Sequence, residues 1–323
     1  MASAAAAVRI RSRTRGRAAP SDRWLFRLAL AATISTYLLI VAGATVRVTG
    51  SGLGCPDWPT CHGRLFPPLE VTALIEYTHR LIGAVASPLI LAVPVGAWLA
   101  RRGRYVLAPA LALPVLLSLQ IVLGAIVVRL ELPPMAVLVH LGFAMLILGG
   151  LVWVTALEAP VSAVGPPPAR GRLLGPLAGL AALTFVLLLT GAYTRAVGAS
   201  IACIGFPGCD VPEAALQRLG ESAPSRLVAI HLAHRGLAYV TAALGAGIAV
   251  AVLRRRTGGQ RGAAWALLAA LAAQVLTGAA AVSTGLPAVL RGAHVAGAAA
   301  VWALAMLSLA LEARRAWALE AKP

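Results

Sequence analysis

Charge is scarce in this sequence. Only 12% of its 323 residues are Asp, Glu, Lys or Arg, where a soluble domain carries roughly a quarter. A polar surface that sparse cannot cover a globule of this size, so a soluble enzyme is excluded and lipid must face much of the exterior. The same apolar content excludes a disordered chain. Acids are scarcer still, with 11 Asp and Glu against 28 Lys and Arg. That excess would suggest nucleic acid if it formed a patch. The basic residues instead lie between apolar runs, so no nucleic-acid partner is expected and their placement reads as membrane topology. There are four cysteines, Cys55 with Cys61 and Cys203 with Cys209, in two close pairs.

A spanning helix needs about 20 apolar residues. Breaking the chain at charges and Pro/Gly clusters leaves eight such runs, near 25–46, 73–100, 105–128, 136–157, 173–194, 227–253, 263–282 and 289–311. The connections after the second, fourth and sixth runs hold Arg101, Arg102, Arg104, Arg170, Arg172, Arg254, Arg255, Arg256 and Arg261. These are the cytoplasmic loops expected from the positive-inside bias. Both termini follow suit: seven arginines from Arg9 to Arg27 lie in or near a basic tail at 1–24, and Arg314, Arg315 and Lys322 lie in a tail at 313–323. An Arg-rich, acid-poor start also fits an organellar transit peptide, but a cytoplasmic tail extends the bias of every other inner connection.

The remaining connections then lie outside, with Asp57, Glu70, Glu131, Asp210, Glu213, Glu221 and both cysteine pairs. An oxidising exterior predicts disulfides Cys55–Cys61 and Cys203–Cys209. Free or metal-binding thiols are the alternative, disfavoured because neither pair has a further cysteine nearby to complete a zinc site.

The chain also repeats itself. Positions 43–61 align without gaps to 191–209, sharing Gly43/Gly191, Arg47/Arg195, Gly50/Gly198, Pro59/Pro207 and both cysteines. Glu76-Tyr77-Thr78-His79-Arg80 matches His231-Leu232-Ala233-His234-Arg235, and Gln120 through His140 matches Gln274 through His294. The expected fold is therefore an all-α integral membrane protein of eight transmembrane helices in two four-helix bundles, 25–158 and 173–312, joined by a cytoplasmic linker at 159–172. An even number of spans per half inserts both the same way round, so a pseudo-twofold axis along the membrane normal relates them.

Five of the six histidines, His79, His140, His231, His234 and His294, fall inside the runs. Histidine in hydrocarbon is costly and points to function, although a lone one also serves as an interhelical hydrogen bond. Four of them, one per even-numbered span and related in pairs by the repeat, favour function. Each lies within about two turns of the outer end of its span. Neutral imidazoles from facing helices can sandwich a haem in an apolar slot, so two duplicated pairs suggest two haem-sized sites. Zinc is the competing metal, but no HExxH helix is present. His62, beside Cys61 in the first outer loop, reads as a solvated or loop-ordering residue.

Glu76 shares a helical face with His79, one turn away, where a carboxylate is placed for proton transfer or for a simple hydrogen bond near the interface. Its counterpart is His231, so the two sites are chemically unequal. Arg80 and Arg235 each follow a histidine and are candidate partners for haem propionates, as are Arg47, Arg129, Arg195 and Arg291 at outer helix ends; snorkelling to headgroups is the alternative. Trp58, Phe66, Trp153 and Trp302 read as interface or packing residues.

These features resemble the haem A synthases of bacterial membranes and mitochondria. TGSGLGCPDWPTCHG at 49–63, EYTHRLIGA at 76–84, His140 in VLVHLG, GAYTRAVGAS at 191–200, HLAHR at 231–235 and His294 in RGAHVAG carry the likeness. The resemblance implies an oxidoreductase that converts the C8 methyl of haem O to a formyl group for terminal oxidase assembly. It implies substrate haem between His79 and His140, with Glu76 as the catalytic group, and a haem b cofactor held by His234 and His294. It also implies a bacterial cell membrane, haem O synthase and an electron donor as partners, and leaves room for a homo-oligomer. The second loop, Cys203 to Cys209, lacks the Pro-Asp-Trp-Pro core of the first, so no shared loop role is expected beyond the disulfide. A di-haem cytochrome b-type electron carrier is the rival function, but such a wire needs haems near opposite faces. A transporter would place its site near the midplane, at broken helices, and Pro88, Pro94 and Pro114 do not coincide with the ionisable residues.

Overall fold

The computed structural model describes residues 23–160, 173–211 and 223–320. Eight helices in it are long and apolar enough to cross a membrane. In chain order they are α1 (Trp24–Val48), α2 (Val71–Leu99), α3 (Arg104–Arg129), α4 (Pro134–Glu158), α5 (Leu174–Ala196), α6 (Ala223–Arg255), α7 (Gly259–Ser283) and α8 (Ala288–Glu320). Most of the expected boundaries agree within a few residues, because an apolar run flanked by arginine and glycine is a local signal. The tail expected at 1–24 and the linker at 159–172 fall almost wholly outside the described residues, as do Glu213 and Glu221.

One boundary needs correction. The tail expected at 313–323 is helix as far as Glu320, and Arg315 within it is buried. The charges that mark an end in the sequence are satisfied by the fold. Glu312 accepts from the Arg256 guanidinium at 2.6 and 3.0 Å, from the Gln260 amide at 3.1 Å and from the Leu173 N–H at 3.2 Å, while Arg315 donates to Gln260. The first half has a plainer version, Arg102 to Glu158 at 2.7 Å. In each half an arginine from the connection between its second and third helices is thereby tied to its fourth helix.

Helices α1 to α4 pack on one another, as do α5 to α8, and the halves meet where α1 and α4 face α5 and α8. Their junction is an apolar cluster of Ile40, Met145, Leu148, Val152, Ala181, Ala299 and Trp302. The Trp302 indole donates to the Met145 carbonyl at 2.7 Å, and Gly149 admits it: a Cβ there would sit 2.9 Å from the ring. Trp302 is thus a packing residue at the seam. Trp153 stands edge-on to Trp317, which stacks on Tyr105.

The remaining apolar clusters share a depth. In the first half the core comprises residues such as Leu25, Ile90, Leu113 and Leu151, and in the second Leu177, Val252, Leu267 and Val301. All lie toward the helix ends away from the cysteine loops. At the loop end the helices carry glycines, histidines and half-buried side chains instead. The turns there repeat as well: Leu132 and Leu286 adopt φ of 64° and 61°, each closing its helix with a 2.7 Å bond back to Val127 or Ala281 ahead of the proline that precedes the next helix.

Candidate functional site

Each of the four histidines on the even-numbered helices leans on a glycine of the helix before it. A Cβ added at Gly43 would stand 3.0 Å from Cε1 of His79, at Gly124 3.3 Å from that of His140, at Gly191 2.9 Å from that of His234 and at Gly278 2.9 Å from that of His294. Real Cβ contacts of that length are strained, so glycine is what lets the imidazoles lie against the neighbouring backbone. The sequence shows these glycines only as repeat markers, since nothing local reveals which side chain a distant helix turns toward them.

Within each half the two imidazoles lie in electrostatic reach of one another, His79 with His140 and His234 with His294. Their polar surroundings are thin. Nδ1 of His79, His140 and His294 is buried without a hydrogen-bond partner. The amide of Gln120 meets Nε2 of His140 at 3.0 Å and that of Gln274 meets Nε2 of His294 at 3.3 Å, the same spacing recurring in both halves. Only His234 has its Nδ1 engaged, by the Thr190 hydroxyl at 3.1 Å. Among the described residues no three His, Cys, Asp or Glu side chains are gathered as a metal cluster. What the described residues bring together is one imidazole pair in each half, His79 with His140 and His234 with His294.

Both predicted disulfides are present, Cys55–Cys61 and Cys203–Cys209, and each loop has a cis peptide before the proline that the repeat aligns, Pro59 and Pro207. A helix arginine holds each loop. Arg80 donates to the carbonyls of Asp57 at 2.7 Å, Thr60 at 2.6 Å and Cys55 at 2.8 Å. Arg235 donates to those of Gly205 at 3.1 Å, Cys203 at 3.4 Å and Gly208. These are the aligned positions in both loops, so the loops share a clamp that their differing side chains conceal, correcting the expectation of no common role beyond the disulfide. The acceptors are backbone carbonyls, which every residue carries whatever its side chain. Arg80 and Arg235 thus each tie a helix to its loop.

Glu76 is 3% exposed and belongs to the same clamp. Its carboxylate accepts from the Cys55 N–H at 2.9 Å and from Arg80 at 2.6 Å. Its counterpart His231, also buried, bonds the Ala199 carbonyl through Nδ1 at 2.9 Å. In both halves this position roots the loop. His62 bonds the Gly54 carbonyl at 2.9 Å, which favours the loop-ordering role of the two expected for it. Asp57 accepts from Thr60 and from the Gly63 and His62 N–H groups, and those bonds hold its carboxyl down at about 2. Of the remaining arginines, Arg195 lies within electrostatic reach of Arg47 and Arg291, and Arg291 reaches across the seam to the Val48 carbonyl at 3.3 Å.

A family model for the cytochrome oxidase assembly protein family, COX15-CtaA, matches residues 26–74 and 69–306. The chain belongs to this family. The Heme A synthase of Symbiobacterium thermophilum is 34% identical over 277 residues, 78% of this chain and 83% of that protein. The Heme A synthase of Bacillus pumilus is 32% identical over 198 residues, and that of an Exiguobacterium species 33% over 181. Those two matches cover 57% and 55% of this chain and span 64% and 60% of the relatives. As a member of the COX15-CtaA family with eight apolar helices, the chain is a multi-pass bacterial membrane protein.

Proposed function

We propose that this protein is a haem A synthase, an oxidoreductase that converts the C8 methyl of haem O to the formyl of haem A. The observation that carries the reading is the duplicated constellation at the loop end, an imidazole on each even-numbered helix seated against a glycine. Imidazoles facing one another within an apolar bundle suit porphyrin iron. His79 and His140 would receive haem O; His234 and His294 would hold a resident haem b, which when bound supplies one-electron transfer. The sites face the exterior and both termini face the cytoplasm, since the arginine-rich connections lie at the opposite end and the disulfides need an oxidising compartment.

The chain's own residues divide the remaining work. Glu76 and Arg80 root the first loop beside His79, and Glu76, one turn from that ligand, handles protons at the substrate methyl. His231 takes the same place in the second half but contributes only to anchoring, which leaves the halves unequal. Haem O synthase is the supplier that this substrate requires. The rival, a transmembrane electron carrier, would need histidines toward both ends of the bundles, whereas all four seats lie at the loop end.

Pigment extraction from purified protein, with and without haem O and a reductant, tests the reading. Haem A should form, and Glu76→Gln should keep haem content while suppressing the formyl product. Haem b alone with no conversion would favour the electron carrier, and normal product from Glu76→Gln would remove Glu76 from the chemistry. His234→Ala or His294→Ala should abolish the resident low-spin spectrum.

A further inference from the structure

We infer that Thr190 is a positioning residue that makes the C-terminal histidine pair a retaining site, and that Ala42, at the same place in the first half, leaves the N-terminal pair an exchanging one. The inference rests on the ligand assignment proposed above and adds what distinguishes cofactor from substrate.

The two residues correspond through the repeat: Thr190 immediately precedes Gly191, and Ala42 immediately precedes Gly43. On α5 the Thr190 hydroxyl donates its single proton to the Leu187 carbonyl at 2.8 Å. Toward Nδ1 of His234, 3.1 Å away, it can then only accept. That places the ring proton of His234 on Nδ1 and leaves the Nε2 lone pair free, the tautomer an iron ligand needs. The ring is also fixed in angle, held between the hydroxyl and the bare Cα of Gly191, where a Cβ would stand 2.9 Å away.

In the first half every part but the hydroxyl is present. His79 leans on Gly43 as His234 leans on Gly191. The carbonyl that α1 turns toward the ring is that of Leu39, the counterpart of Leu187. With alanine at position 42 no hydroxyl bridges the two, and Nδ1 of His79 is left without a partner in hydrogen-bonding geometry. The ligands on the other side do not differ in this way. His140 and His294 each have a glutamine at Nε2 and an unpartnered Nδ1. The asymmetry in direct support of the ligands therefore comes to a well-aligned Thr190 hydroxyl on His234 against the off-geometry approach of the Leu39 carbonyl to His79, where Ala42 supplies no hydroxyl. Outer hydrogen bonds of this kind raise ligand basicity and fix orientation, and losing one typically costs 10–100-fold in metal affinity. An enzyme that releases one porphyrin and keeps another needs that difference.

The test uses the full-length chain in detergent, loaded with haem b, with transfer to excess apomyoglobin followed by absorbance. In a His79→Ala background, which leaves only the C-terminal site, Thr190→Ala should speed transfer by about 10–100-fold and raise the midpoint potential, because a less basic imidazole favours ferrous iron less weakly. Thr190→Ser should restore the parent rate. In a His234→Ala background, Ala42→Thr should slow transfer from the N-terminal site by a similar factor. Equal transfer rates and potentials for Thr190→Ala, Thr190→Ser and the parent would overturn the inference. If His234→Ala alone kept the full resident pigment, the ligand assignment itself would fail, which separates the two outcomes.

Discussion

Replacing Gly278 by alanine sets two effects of opposite sign against each other. In a helix interior alanine is favoured over glycine by about 1 kcal/mol, so on propensity alone the variant should be the sturdier protein. The tertiary contact argues the other way. The new Cβ would stand 2.9 Å from Cε1 of His294, whereas ordinary contact begins at 3.4 Å, so the ring must retreat by about half an ångström. Overpacking of this sort costs typically 1–3 kcal/mol. If the strain falls on the iron ligand, that corresponds to roughly 5–150-fold in haem affinity. Gly191→Ala meets His234 at the same distance and should behave alike, while Gly124→Ala, at 3.3 Å from His140, should be milder. Gly247→Ala on α6 is the control, because a Cβ there meets nothing within 4 Å. Haem retained per polypeptide after purification, and its rate of transfer to apomyoglobin, give the readout. Equal retention in Gly278→Ala, Gly191→Ala and Gly247→Ala would refute the idea that these glycines seat the ligands.

Arg80→Lys should loosen the first loop, since one ammonium cannot span three carbonyls and Glu76; losing about two bonds at 0.5–1.5 kcal/mol each should speed reduction of Cys55–Cys61 by roughly tenfold, measured by thiol-specific mass tagging. Asp57 adds a pH dependence with a definite sign. Its carboxyl is held below the ordinary value of 3.8, at about 2, so its contribution to loop order is complete above the ordinary value and is lost as pH falls through about 2. Loop protease sensitivity should rise in that acid window, and in Asp57→Asn the rise should be absent because the loop is already loosened at neutral pH. Arg256→Met should lower the unfolding temperature more than Arg102→Met, because the Arg256 side chain is fully buried in its ion pair whereas that of Arg102 is 36% exposed. Leaving a buried charge unpaired costs about 3–5 kcal/mol, whereas a partly exposed pair contributes about 1 or less.

The eight spans and all of their helix ends but the last were open to reading in one dimension because hydropathy, arginine and glycine act within a single turn or run. The histidines were visible too, since an imidazole among leucines and valines stands out and the repeat paired them. The seat of each histidine was not visible, because it depends on the rotation and depth of a second helix. Gly43, Gly124, Gly191 and Gly278 matter for what they lack beside a ring carried by another helix, as does Ala42 beside His79. The loop clamp of Arg80 and Arg235 was hidden for a related reason: most of its acceptors are backbone carbonyls, which leave no trace in residue identity. Arg315 likewise looked like part of a charged tail until Gln260 was folded against it. Composition and periodicity thus determined that this chain is eight membrane helices in two copies of one plan. Tertiary packing decided which polar groups each imidazole meets, because that choice is made between helices, where sequence neighbours have no say.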